Sequence, residues 1–181
     1  MQHNLEDTIA LLSRTPAVLN ALLRDLPETW TLRNEGENTM CAFDVVGHLI
    51  HAEHANWILR AKTILQHGET QAFAPFNRQG HTQEIQGRSL GQLLDEFARV
   101  RSENLAELQD LNLRPEDMER RGRHPVLGVV TLSELLATWV AHDLTHLHQI
   151  SRVMAHQYRE GVGPFRIFLG VLKCDGHSQA A

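Results

Sequence analysis

The sequence predicts an all-α fold, a four-helix bundle. Three observations predict it. Four long segments place apolar residues at three- and four-residue spacing, the period of a helix with a buried face. No convincing stretch alternates apolar and polar residues as a half-buried strand does. With 181 residues and 42% hydrophobic content, the chain has enough material for one core and too little for two comfortable ones. Residues 1–181 are therefore read as a single domain.

The first segment runs from Leu5 to Leu26, with Leu5, Ile9, Leu12, Leu19, Leu22 and Leu23 recurring along it. Pro16 predicts a kink there or two shorter helices. The second runs from Ala42 to His67, where Gly68 supplies a stop. The third runs from Ser89, a good N-cap, to Leu111, with Leu90, Leu93, Leu94, Phe97, Leu105 and Leu108 as its stripe. The fourth runs from Thr131 to Tyr158, and Thr131 with Glu134 reads as a capping box. The connections around Asn34–Asn38, Pro75–Gly87 and Pro115–Gly128 are polar and carry Gly, Pro and Asn. The apolar stretch Phe165–Leu172 suits a short extra helix, and Ser178–Ala181 are expected to be loose.

Composition removes several classes of function. The net charge of -5 disfavours a protein that grips phosphate backbones, so no nucleic-acid partner is expected. No run of about 18 apolar residues offers a membrane span. Two cysteines, Cys41 and Cys174, are too few for a disulfide scaffold, and the start MQHNLEDTIA lacks the pattern of a signal peptide. A reduced cytoplasm is the expected compartment.

Twelve histidines are many for this length, and a few fall into a pattern. His142 and His146 are four residues apart, so both lie on one helical face, with β-carbons about 5–6 Å apart. Leu135, Trp139, Ile150 and Val153 share that stripe and turn the pair toward the core. Two inward imidazoles need partners, since an unsatisfied buried polar group costs about 1–3 kcal/mol. One divalent metal ion shared between them meets that need. A third ligand must come from another helix, and the second offers His48, His51 and His54. His48 sits among Val45, Leu49, Ala52, Ala55 and Leu59, so it is favoured, with His51 as the fallback. Three neutral imidazoles would leave a coordination position for water or substrate, as catalytic sites do.

Two stretches resemble the DinB-like family of four-helix metalloproteins. One is Asp44-Val45-Val46-Gly47-His48-Leu49, followed by Glu53, in the second helix. The other is Leu127-Gly128-Val129-Val130-Thr131-Leu132, followed by Trp139-Val140-Ala141-His142-Asp143-Leu144-Thr145-His146-Leu147-His148-Gln149-Ile150, in the fourth. Thr15-Pro16 and Leu26-Pro27-Glu28 ahead of Trp30 fit as well, so the resemblance covers nearly the whole chain. It implies that His48, His142 and His146 bind zinc or nickel. It also implies a metal-dependent reaction on a small molecule, either a thiol-dependent transfer or a hydrolysis, with substrate and thiol cofactor unspecified. The alternative is a metal-binding stress-response protein without catalysis.

Other residues stand near this pattern. Asp143, Gln149 and Glu53 are candidates to support the ligands, Glu53 also as a general base; the competing roles are a neighbouring helix's histidine or a cap for Asp143, a surface or interhelical hydrogen bond for Gln149, and a solvated carboxylate or salt bridge for Glu53. Cys41 opens the second helix, where the macrodipole lowers a thiol's pKa. Arg121, Arg123 and His124 form a basic loop cluster, and Trp57 and Trp139 read as core. The second helix carries a further apolar stripe, Phe43, Ile50, Trp57 and Ile64, which suggests a homodimer as in relatives of the family. The loop after Pro75 or the tail near Phe165 would serve equally as its cover.

Overall fold

The computed structural model describes residues 4–174. Pro16 divides the first segment into α1 (Leu5–Leu12) and α2 (Thr15–Leu23). It lies in the first turn of α2, where its missing N–H leaves no helical bond unmade. Asn4 caps α1, its Oδ1 accepting the Glu6 N–H at 2.8 Å. A single turn, α3 (Glu28–Thr31), leads to the second long segment.

That segment is α4 (Ala42–Ala55) and α5 (Trp57–His67), parted at Asn56, where one continuous helix was expected. The third long helix supplies a cause. Asn104 Nδ2 donates to the Glu53 carbonyl at 3.0 Å, the acceptor that an unbroken helix offers to the Trp57 N–H. A short helix, α6 (His81–Ile85), forms in the connection after Pro75 and packs on α4. The long helices α7 (Leu90–Asp110) and α8 (Leu132–His156) follow. Both start on capping boxes, Ser89 with Gln92 and Thr131 with Glu134. The apolar tail forms two short 3-10 helices, Gly163–Phe168 and Gly170–Leu172. The expected loose end at 178–181 lies outside the described residues.

One connection differs from expectation. Between α7 and α8 the chain forms an antiparallel hairpin, β1 (Arg121–His124) and β2 (Gly128–Thr131). Val129, Val130 and Thr131 are β-branched and suit extended backbone. Gly122 lets the hairpin lie against the bundle, because a β-carbon there would come within 2.6 Å of Ile64 Cγ1. His124 ends β1 and holds the turn that follows, its Nδ1 accepting the N–H groups of Val126 and Leu127 at 3.2 and 3.1 Å.

The second apolar stripe of α4 and α5 is covered within the chain, which corrects the reason given for a dimer. Ile50, Trp57 and Ile64 are buried, and Trp57 stacks on Trp139 at 5.7 Å. The α6 helix comes so close to α4 that a β-carbon on Gly47 would meet Ile85 Cγ2 at 2.3 Å. The connection after Pro75 thus covers the Ile50 end of the stripe, Trp139 covers Trp57, and β1 lies against Ile64.

The buried apolar residues form two clusters along the bundle. One gathers Leu12, Ala52, Leu105, Leu132 and Trp139 among others; the second gathers Leu19, Leu49, Leu93, Phe97 and Ile150. At or beside the boundary between them, on each of the long segments, lies a buried polar residue: Thr15, Glu53, Arg101 and Asp143. The last three are 3%, 1% and 2% exposed. Arg101 Nη1 and Nη2 donate to Asp143 at 2.6 and 2.9 Å, and Nη2 donates to Glu53 Oε1 at 2.8 Å. Trp139 Nε1 and Asn104 Nδ2 complete Glu53 at 2.9 Å each, and Thr15 Oγ1 donates to Asp143 at 2.6 Å. Arg101 also reaches the Leu12 carbonyl at 2.9 Å. Burial opposes the guanidinium charge, the two carboxylates outweigh it, and the Arg101 pKa is raised.

Breaking a buried charge network from one side strands the partners that remain. The Arg101→Leu variant should therefore lose about 3–5 kcal/mol of unfolding free energy in urea titrations. A loss under about 1 kcal/mol would show that Glu53 and Asp143 are satisfied without it.

Candidate metal centre

His48 stands on α4, and His142 and His146 stand one turn apart on α8. Their Nε2 atoms converge. His142 Nε2 lies 3.2 Å from His48 Nε2 and 3.1 Å from His146 Nε2, and ligand atoms of all three rings lie within 4.8 Å of one another. A tetrahedral centre with metal–nitrogen bonds of about 2.0–2.1 Å sets its nitrogens about 3.3–3.4 Å apart. The spacing therefore fits one divalent ion among the three rings.

The protonation pattern agrees with that fit. His146 Nδ1 lies 2.7 Å from Gln149 Oε1 and donates its proton there, which leaves the Nε2 lone pair facing the other rings. Burial, followed by the charges of His146, His81, His51 and Arg78, lowers the His48 pKa to about 3. Burial, followed by His146, His48 and Arg101, lowers His142 to about 2. Both rings are thus neutral in ordinary buffer, the form that binds a metal. His142 Nδ1 is buried and makes no hydrogen bond among the described residues, and its ring meets Trp57 edge-on at 5.1 Å.

The fold matches that of a solved structure described as "YfiT from Bacillus subtilis is a probable metal-dependent hydrolase with an unusual four-helix bundle topology". The TM-score is 0.71 at 20% identity, covering 86% of this chain and 87% of that one. No curated protein sequence matches the chain. The sequence profile of the DinB superfamily matches residues 11–150. The chain belongs to the DinB superfamily. In this DinB protein the matched region contains His48, His142 and His146 together with α2 and the whole polar layer.

The remaining candidates occupy distinct places around the centre. His51 is not gathered with the three rings; it packs under Gly80, where a β-carbon would come within 2.1 Å of its ring, and beside Phe76 at 5.0 Å. His54 is exposed, with Nδ1 3.0 Å from Glu84 Oε1. Gln149 is buried against His146 rather than at the surface. Asp143 turns away from the rings, its oxygens engaged by Arg101 and Thr15. Glu53 has both carboxylate oxygens engaged by Arg101, Trp139 and Asn104, so it is buried structure rather than a free base. Cys41 opens α4 but is not an activated thiol. It is buried with Sγ 3.0 Å from Asp44 Oδ2, and burial, then the Asp44 contact, push its pKa up to about 12.

Sequence reasoning passed over Arg101, although the signal was present. It stands four residues after Phe97 and four before Leu105, in the middle of the α7 stripe, where a charge needs buried partners. Phe76 faces His48 edge-on at 5.9 Å from the loop after Pro75, and nothing in its local sequence foretells that contact.

The lowered pKa values carry a sign for stability. In the unfolded chain His48 and His142 return to about 6.5, so that state binds more protons than the folded one below this pH. Stability of the metal-free protein should fall as pH drops from about 6.5 toward the folded values near 3. A His48→Gln/His142→Gln variant should show a shallower fall between pH 6.5 and 4 in urea titrations of chelator-treated protein. Equal slopes would mean that these two rings do not report the site's burial.

Proposed function

We propose that the protein is a metal-dependent enzyme acting on a small molecule, with one divalent ion, zinc or nickel, held by His48, His142 and His146. The observation that carries this reading is the convergence of three imidazole Nε2 atoms from two helices, one of them fixed by Gln149. Among the described residues the group contains three histidines and no fourth protein ligand, a donor set that suits a catalytic centre better than a closed structural one. The reaction class is a thiol-dependent transfer or a hydrolysis, and the likeness to YfiT favours considering hydrolysis beside transfer.

When bound, the ion supplies Lewis acidity toward an oxygen or sulfur nucleophile and its target. The chain's own residues shape what that chemistry meets. The three rings set the direction of the open face. Gln149 holds His146 in one tautomer, while Trp57 and Phe76 wall the rings with apolar surface. A reduced cytoplasm suits the two free thiols, and among the described residues no helix is long and apolar enough to cross a membrane.

Elemental analysis tests the ligand set. Wild-type protein should retain about one zinc or nickel ion per chain, and His146→Ala should lose most of it while remaining helical by circular dichroism. Full occupancy in that variant would overturn the assignment.

A homodimer belongs to the same proposal, with its contact moved to another face. Leu11, Val18 and Leu144 are exposed beside a cavity of about 200 Å³ between α1, α2 and α8, and they are the better apolar support for association. Light scattering at tens of micromolar should give twice the chain mass, and Leu144→Lys should halve it. A wild-type monomer under those conditions would remove the dimer.

A further inference from the structure

We infer that Arg60 and His124 form a binding site for a small oxyanion, a carboxylate or a phosphate, outside the three-histidine centre and built on the ring of Phe73. The hairpin makes one side of it. Side chains alternate along a strand, so Gly122 and His124 face the bundle while Arg121 and Arg123 face out. Gly122 admits the Phe73 ring, since a β-carbon there would come within 2.9 Å of Phe73 Cε1 and Cζ. The Phe73 N–H donates to the Arg123 carbonyl at 2.9 Å and ties its backbone to the same strand. Phe73 is thereby buried, and the His124 ring meets it in a T-shaped contact at 6.2 Å. The α5 helix makes the other side, where Arg60 Cζ stands 5.2 Å from the centre of the same ring.

Both groups keep donors without acceptors. A cation over an aromatic face is attracted by the ring's quadrupole, which gives the guanidinium N–H groups no oxygen to donate to. Arg60 is half-buried, its Nε fully so, and its side chain forms no hydrogen bond or ion pair among the described residues. Burial lowers its pKa, whereas the equally desolvated charge of Arg101 is sustained by Glu53 and Asp143. In His124, Nδ1 accepts the two turn N–H groups, so the ring proton sits on Nε2, on the other side of the ring. That Nε2 has no partner among the described residues. Burial, then the charge of Arg60, lower the His124 pKa, so the ring stands as a neutral donor.

An oxyanion answers both groups at once. It brings the negative charge that Arg60 lacks, and its oxygens suit a planar fork of donors as well as a single N–H. Arg121 and Arg123, exposed on the outer face of β1, add to the positive potential around the hairpin. A metal cation or an apolar ligand would leave the guanidinium as it stands.

NMR of the nitrogen-labelled full chain reads the two groups separately, through the Nε signal of Arg60 and the Nε2 signal of His124. The probes are inorganic phosphate and propionate, each compared with sodium chloride at matched ionic strength. At least one probe should move both signals along a single saturable curve, and the tighter one names the class of oxyanion. Arg60→Gln should weaken that binding about tenfold or more, and Arg60→Lys should restore part of it. His124→Asn, whose Oδ1 can still accept from the turn, should weaken it by a smaller factor. Shifts no larger than those in chloride, with both probes, would overturn the inference and leave Arg60 as a strut on Phe73. Undiminished affinity in Arg60→Gln would overturn it too, and binding lost only in His146→Ala would place the anion at the histidine centre instead.

Discussion

Arg101 is the charge around which the bundle is assembled. One guanidinium on α7 holds carboxylates from α4 and α8 and a carbonyl from α1, while Thr15 of α2 completes Asp143. An apolar core of the same volume would give comparable or greater stability, because desolvating three charges offsets most of their attraction. What the network adds is register. If any of the long helices slid by one turn, a charge would be left buried without its partner, an error that apolar contacts alone penalise far less. The same contacts fix rotation. Asp143 can face Arg101 only if α8 is turned so that His142 and His146, on either side of it in sequence, face α4 and His48.

The centre is therefore oriented by structure that does not touch it. Its own internal economy is less complete. His146 has Gln149, but His142 Nδ1 is buried without a hydrogen bond among the described residues, and an unsatisfied buried group costs about 1–3 kcal/mol. Three nitrogens aimed at one point cannot all satisfy each other as neutral rings with one proton each. The bundle thus holds an arrangement that a shared cation relieves. A cation bound there only in the folded state would return stability by mass action.

Much of this was legible in the sequence, for reasons that can be named. Helix position and direction follow from local rules: Ser89 and Thr131 cap as their side chains dictate, and Pro16 divides the first segment. The histidine pair on α8 shows through four-residue spacing, and His48 through its small apolar neighbours. Contacts between distant segments were not legible. The break at Asn56 depends on Asn104, 48 positions along the chain, and the covering of the Ile50–Trp57–Ile64 stripe depends on Ile85, Trp139 and the hairpin at Gly122. Cys41 shows the limit of a positional rule. It does open a helix, yet burial and Asp44 raise its pKa and outweigh the macrodipole. The hairpin at Arg121–Thr131 was hidden by strands of only four residues, too short for alternation to register, although Val129, Val130 and Thr131 favoured it.

The account turns on three imidazoles meeting one ion, and X-ray absorption at the metal edge of the protein as purified tests that meeting directly. The spectrum should show a first shell of light donors at about 2.0–2.1 Å with the outer-ring scattering of three imidazoles, and no sulfur near 2.3 Å from the protein itself. A shell of oxygen donors without imidazole scattering, or a sulfur shell from Cys41 or Cys174 in protein freed of thiols, would contradict it.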